Sequence, residues 1–155
     1  MEIHSPWRDD FPALLVPMND RPFAFLDSAA SAQKPRVVIE AMDDVMRTGY
    51  ANIHRGLYER SAHLTTRFEA ARAAVAAFIG AETPENIVFT RNATEGMNLI
   101  AQSWGRAHVA AGDEVILTEM EHHANIVPWQ MLAAEKGVTI KVWPIRPNGA
   151  LSVDD

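Results

Sequence analysis

The sequence predicts an α/β fold, and three observations carry that prediction. From Glu85 onward, β-rich runs alternate with helical patterns in the order strand, helix, strand, helix, strand. That order argues for parallel pairing with helices packed on both sheet faces. The three runs, NIVFT, DEVILT and VTIKVW, are nearly continuous in apolar residues, as expected of strands covered on both sides. Ahead of Glu85 the periodicity is helical, so a helical N-terminal segment precedes the sheet.

Each element has its own signals. Residues 1 to 22 carry prolines at 6, 12, 17 and 22, which break any regular element. PFAFLD is a short apolar run, and DSAASAQKP a turn of small residues. Pro35 suits a first helical turn, RVVIEAMDDVMRTG continues the helix, and Gly49 ends it. YANIHRGLYERS reads as a loop. Leu64, Phe68, Ala71, Val75, Phe78 and Ile79 then recur at helical spacing, with Gly80 placed as a C-cap. After NIVFT, a three-residue loop opens the helix TEGMNLIAQSWGRAH. After DEVILT comes the helix NIVPWQMLAAEKG, closed by Gly137, and then VTIKVW. The chain stops soon after the turn PIRPNG, leaving much of a three-stranded sheet uncovered, so the expectation is the front part of a longer α/β protein.

Composition narrows the function classes. The 155 residues suffice for one domain with a core. Apolar residues make up 48% and charged residues 22%, an ordinary soluble balance. The net charge of -6, without a Lys/Arg run, argues against nucleic acid as a partner. No stretch reads as a signal peptide or membrane span, which makes a cytoplasmic protein the default expectation. There is no cysteine, hence no disulfide, thiolate metal site or cysteine nucleophile within the chain.

Two short stretches have chemical character. Glu121, His122 and His123 follow directly on DEVILT, at the strand end where open parallel sheets bind ligands. As a metal site the cluster is poor, because successive side chains diverge by roughly 100° on a helix and point to opposite faces on a strand. Zinc motifs space their histidines instead. The plainer reading is that one histidine packs and the other caps the next helix. The second stretch, RNATEG (91–96), leaves a strand and opens a helix, so unpaired backbone N–H groups at its positive end suit a phosphate. Thr94 adds a hydroxyl there, and Glu95 opposes an anion unless it is paired or turned away. The plainer reading makes Thr94 an N-cap. Together, an anion cradle and an imidazole at two strand tips one crossover apart suit a planar ring that carries a phosphate, and pyridoxal 5'-phosphate fits that description.

LDSAASAQKP (26–35), HRG (54–56), RNATEGMNLIAQSWG (91–105) and MEHHANIVPWQ (120–130) closely resemble the SUF-type cysteine desulfurases and the overlapping selenocysteine lyases. Those are class V aminotransferase-like enzymes of pyridoxal-phosphate fold type I. The resemblance runs from about Phe11 to the last residue. It implies that residues 1–60 form an N-terminal arm, helix and active-site loop, and 61–155 the first part of the large cofactor-binding domain. It implies that Thr94 and the backbone at Ala93 contact the cofactor phosphate, and that His122 stacks on the pyridine ring and takes part in proton transfer. Glu121 and His123 would then support the loop. Ala29 and Ala30 match small residues beside the substrate. His54 and Arg55 match a loop near the active-site entrance and the dimer interface, where loop hydrogen bonding is an equal alternative to substrate contact.

The same resemblance implies an activity and its partners: L-cysteine converted to L-alanine, sulfur passed as a persulfide toward iron–sulfur cluster assembly, a sulfur-acceptor protein, and a homodimer. Two of the family's requirements are not met within the chain. The reaction needs a lysine that holds the cofactor covalently and a cysteine that takes the sulfur. The three lysines, Lys34, Lys136 and Lys141, stand outside the family's lysine motif, and there is no cysteine. The chain alone is therefore expected to be inactive. Selenocysteine lysis, another class V reaction, or a non-catalytic phosphate-binding homologue are the alternatives.

Overall fold

A computed structural model describes residues 5–153. They divide into two compact units, one up to Ile87 and one from Val88 onward.

The first unit opens with two 3-10 turns, Arg8–Asp10 and Pro12–Leu15, and an isolated antiparallel bridge between Met18 and Arg21. The Arg8 guanidinium gathers this proline-broken start by donating to the Leu14 carbonyl at 2.6 Å and the Phe23 carbonyl at 2.8 Å. Helix α1 (Arg36–Asp44) begins one residue after Pro35, which is extended at φ -70, ψ 154. A π turn, Val45–Gly49, finishes it at the predicted glycine. Helix α2 (Glu59–Ile79) ends on Gly80, whose φ of 71 is the left-handed conformation that a residue without Cβ adopts cheaply. Its start corrects the predicted loop: Glu59, Arg60 and Ser61 are helical. Tyr58 is extended (φ -120, ψ 156), and its carbonyl accepts the Ser61 and Ala62 N–H groups, so the helix can begin directly after it.

The second unit is a β–α–β arrangement. Strands β1 (Glu114–Thr118) and β2 (Thr139–Trp143) pair in parallel, with Glu114 opposite Thr139 and Thr118 opposite Trp143. Helix α5 (Val127–Lys136) makes the crossover and closes on Gly137 at φ 72. Before β1, helix α3 (Ala93–Ile100) runs on through a π turn (Ala101–Gly105) into a last turn, α4 (Arg106–His108). The buried centre joins Val109, Leu132 and Val138, with Val115, Trp129 and Ala133 packed against it. Gly105 permits the close approach of the π turn to α5, since a Cβ there would lie 2.9 Å from Leu132 Cδ2 and 3.3 Å from Trp129 Cζ3.

One predicted strand does not form. Residues 87–90 of NIVFT are not strand and join no ladder among the described residues. Ile87 is extended (φ -97, ψ 120), but a strand needs a partner, and the Ile87 carbonyl instead accepts from Arg72 Nη1 at 2.5 Å. The described sheet is correspondingly covered on one face. Val115 points into the buried centre while its neighbour Ile116 is 65% exposed.

Candidate functional site

The start of α3 is built by a cap and an ion pair. Asn92 is extended (φ -168, ψ 173), and its Oδ1 accepts the Glu95 N–H at 2.9 Å. Asn92 is therefore the N-cap, and the plainer reading of Thr94 as the cap is corrected. Thr94 sits in the first turn, exposed, and its hydroxyl has no hydrogen-bond partner among the described residues. Glu95 folds back on Arg91: Oε2 accepts the Arg91 N–H at 2.5 Å, and Oε1 accepts from Nη2 at 3.0 Å. Hydrogen bonds from the Arg91 side chain, then from its backbone, lower the Glu95 pKa below the ordinary glutamate value. The negative charge that would repel an anion at the helix start is thus paired.

The segment after β1 is built by a relay of side chains. Thr118 Oγ1 donates to Glu121 Oε1 at 2.8 Å, and Asn125 Nδ2 donates to Glu121 Oε2 at 2.8 Å. Trp129 Nε1 donates to Asn125 Oδ1 at 3.0 Å. The carboxylate accepting these bonds has its pKa lowered, by Asn125 first and Thr118 second. His122 and His123 lie within the span that Glu121 ties down. His122 (φ -66, ψ 145) caps the 3-10 turn His123–Asn125, its Nδ1 accepting the Ala124 N–H at 3.1 Å. In the neutral ring the proton then sits on Nε2. The ring is exposed and stands edge-on to His123, with centroids 6.3 Å apart.

Helix α3, which carries Ala93 and Thr94 in its first turn, packs beside the turn His123–Asn125 that His122 caps. The donor set suits a phosphate on one side and a flat ring on the other: the Thr94 hydroxyl, without a partner among the described residues, with the Ala93 and Thr94 N–H groups, and an exposed imidazole with one nitrogen already satisfied. Sequence reasoning had missed Asn92, Thr118, Asn125 and Trp129 as the parts holding these loops. Asn92 with Glu95 has capping-box spacing, and Glu121, Asn125 and Trp129 recur at intervals of four, which were the available signals.

The remaining residues singled out from sequence lie in the first unit. Ala29 and Ala30 are exposed in a turn where the Ala30 and Ser31 N–H groups donate to the Asp27 carbonyl at 3.1 and 3.2 Å. His54 has a positive φ of 69, uncommon for a residue with a Cβ. Its N–H donates to Thr65 Oγ1 at 2.9 Å, its ring stands edge-on to Phe68 at 5.7 Å, and its Nε2 lies 3.6 Å from Glu69 Oε1. Ser61 locks the same loop by donating to the Asn52 carbonyl at 2.7 Å, and a Cβ at Gly56 would run into that hydroxyl. The neighbouring Arg55 is exposed, and its side chain has no partner among the described residues.

Comparison with known proteins places these loops in a family. The profile of aminotransferase class-V matches residues 24–155. A cysteine desulfurase of Cronobacter sakazakii is 55% identical over 147 residues, 95% of this chain and 36% of that protein, so the chain spans about a third of that relative's length. The crystal structure of the Escherichia coli cysteine desulfurase CsdA, in an S-sulfonic acid form, is similar with TM-score 0.77 and 37% identity, over 99% of this chain and 38% of that one. A C-DES mutant with glycine covalently linked to its pyridoxal-phosphate cofactor shares the fold at TM-score 0.68 and 24% identity, over 91% of this chain and 34% of that one. The profile match takes in the Ala29 turn, the His54 loop, the Thr94 helix start and the His122 turn alike, and the chain belongs to the class-V aminotransferase family.

Proposed function

We propose that the protein is a pyridoxal-phosphate-dependent cysteine desulfurase of SUF type, converting L-cysteine to L-alanine and delivering sulfur, as a persulfide, to an acceptor protein for iron–sulfur cluster assembly. The observation that carries this reading is the packing of α3 beside the His122-capped turn, with neither the Thr94 hydroxyl nor His122 Nε2 hydrogen-bonded among the described residues. The 55% identity to a cysteine desulfurase supports the substrate. The cofactor, when bound, supplies an electron sink for the substrate carbon.

The chain's own residues bind, orient and move a proton. Thr94 Oγ1 and the N–H groups of Ala93 and Thr94 hold the phosphate, with the Glu95 N–H committed to Asn92 and the Glu95 charge neutralised by Arg91. His122 covers the ring, and Nε2, the nitrogen not committed to Ala124, is where a proton is held or passed. Ala29 and Ala30 leave room for a small amino acid, and His54 and Arg55 border the entrance at a homodimer contact. In this reading residues 1–60 are arm, helix and active-site loop, residues 61–155 begin the cofactor domain, and the protein works in the cytoplasm.

The test is His122→Ala in the intact protein. It weakens or shifts the visible absorption of the bound cofactor and slows alanine release from L-cysteine by about 10²-fold or more, the lower range for losing a general acid–base. A variant matching wild type in both removes His122 from the site. A faster reaction with L-selenocysteine would favour selenocysteine lysis instead.

A further inference from the structure

We propose that Glu121 is a positioning residue: its carboxylate, held on both sides of His122, fixes the tautomer and aim of the His122 imidazole. The role of that imidazole toward a phosphate-bearing ring rests on the function proposed above, whereas its orientation by Glu121 does not.

Hydrogen-bond polarity carries the inference. Trp129 Nε1–H can only donate, so the Asn125 atom 3.0 Å away must be its oxygen. The other end of the Asn125 amide is then a donor, and it points at Glu121 Oε2 from 2.8 Å. Glu121 must accept there. Thr118 completes the relay, its hydroxyl donating to Glu121 Oε1 at 2.8 Å while its oxygen accepts the Met120 N–H at 3.3 Å. The direction at Oε2 follows from the indole, so the relay requires an acceptor at residue 121 facing Asn125.

The relay brackets the imidazole. Thr118 is the last residue of β1, and Asn125 closes the turn that His122 caps. Within that turn the Asn125 N–H donates to the His122 carbonyl at 2.7 Å, and the Ala124 N–H donates to His122 Nδ1 at 3.1 Å. The second bond assigns the ring proton to Nε2 and sets which way the ring faces. It survives only while the turn is closed, and the Glu121–Asn125 bond closes it from outside. A charged acceptor is stronger in this place than a neutral one.

Glu121→Leu removes both acceptors, so Asn125 Nδ2 loses its partner while its oxygen stays with the indole. Glu121→Gln keeps a neutral version of the relay, because its oxygen can face Asn125 Nδ2 while its NH2 donates to Thr118 Oγ1.

The experiment follows the ring directly, in the intact protein without cofactor. With ¹⁵N-histidine labelling, long-range ¹H–¹⁵N spectra report the tautomer, and His122→Asn assigns the signal. Wild type is expected to show His122 in the Nε2–H form alone. Glu121→Leu should give a mixture with substantial Nδ1–H form, and the conservative Glu121→Gln should retain the single form. Thr118→Val, which removes one of the two bonds, should shift the ring the same way if Glu121→Leu fails to fold. An unchanged tautomer in Glu121→Leu or Thr118→Val, or a mixture in Glu121→Gln as large as in Glu121→Leu, overturns the proposal. Titration with pyridoxal phosphate separates the two ideas. If Glu121→Leu scrambles the tautomer while His122→Ala binds the cofactor as wild type does, positioning stands and the cofactor role of His122 falls.

Discussion

Asn92 and Thr94 stand two residues apart and have separable tasks. Asn92 satisfies the Glu95 N–H, so Asn92→Ala is expected to cost about 1 kcal/mol of stability, the usual loss of an N-cap. Thr94 is exposed with no hydrogen-bond partner among the described residues, so Thr94→Ala should change stability by less than about 0.5 kcal/mol. Its cost should fall on cofactor affinity instead. Urea unfolding and pyridoxal-phosphate titration of both variants check the split. Equal destabilisation by the two would mean that Thr94 shares the cap. At this scale the sequence pointed to candidate residues for chemistry but not to the ones that hold them. Thr118, Asn125 and Trp129 are ordinary residues on a strand end and a helix start, and only their meeting around Glu121 gives them a role.

Among the elements, the π turn Ala101–Gly105 sets how closely α3 and α4 lie against α5. Gly105→Ala improves helix propensity by about 1 kcal/mol, but its Cβ would press on Leu132, which is 1% exposed. Overpacking of a filled core costs about 1–3 kcal/mol, so the expected sign is destabilising. Chemical denaturation reads that sign, and a stabilised variant would mean that Leu132 swings aside freely. Helix ends were the most legible elements, because Gly80 and Gly137 adopt the left-handed conformation their positions suggested. Residues 87–90 were misread for a physical reason. A run of β-branched and aromatic residues shows its preference for extended backbone, but pairing depends on another segment that the run does not encode.

For the whole chain, the decisive fact is how little apolar surface its own residues cover. Within the first unit Val37, Met42 and Met46 of α1 and its π turn are exposed, and within the second so are Ile116 and Val142. The lysines are also committed to local partners. Lys34 donates to the Ala32 carbonyl at 2.7 Å, Lys136 to the Arg106 carbonyl at 2.7 Å, and Lys141 pairs with Glu114 at 3.3 Å. The 155-residue chain alone, mixed with pyridoxal phosphate, is therefore expected to release no alanine from L-cysteine and to develop no discrete visible band. Absorbance and alanine assays check both. A saturable band that His122→Ala abolishes would show that these residues suffice to seat the cofactor.

The crossover from β1 through α5 to β2 also dictates an order of events during synthesis. Among the described residues Glu114 pairs with Thr139, so β1 emerges from the ribosome well before that edge exists. Non-local pairing of this kind closes slowly, and an unpaired edge invites association with other chains. The interval between translating Thr118 and Trp143 is thus the vulnerable window of biogenesis, and the pace of translation, far slower than the coiling of α5, sets its length.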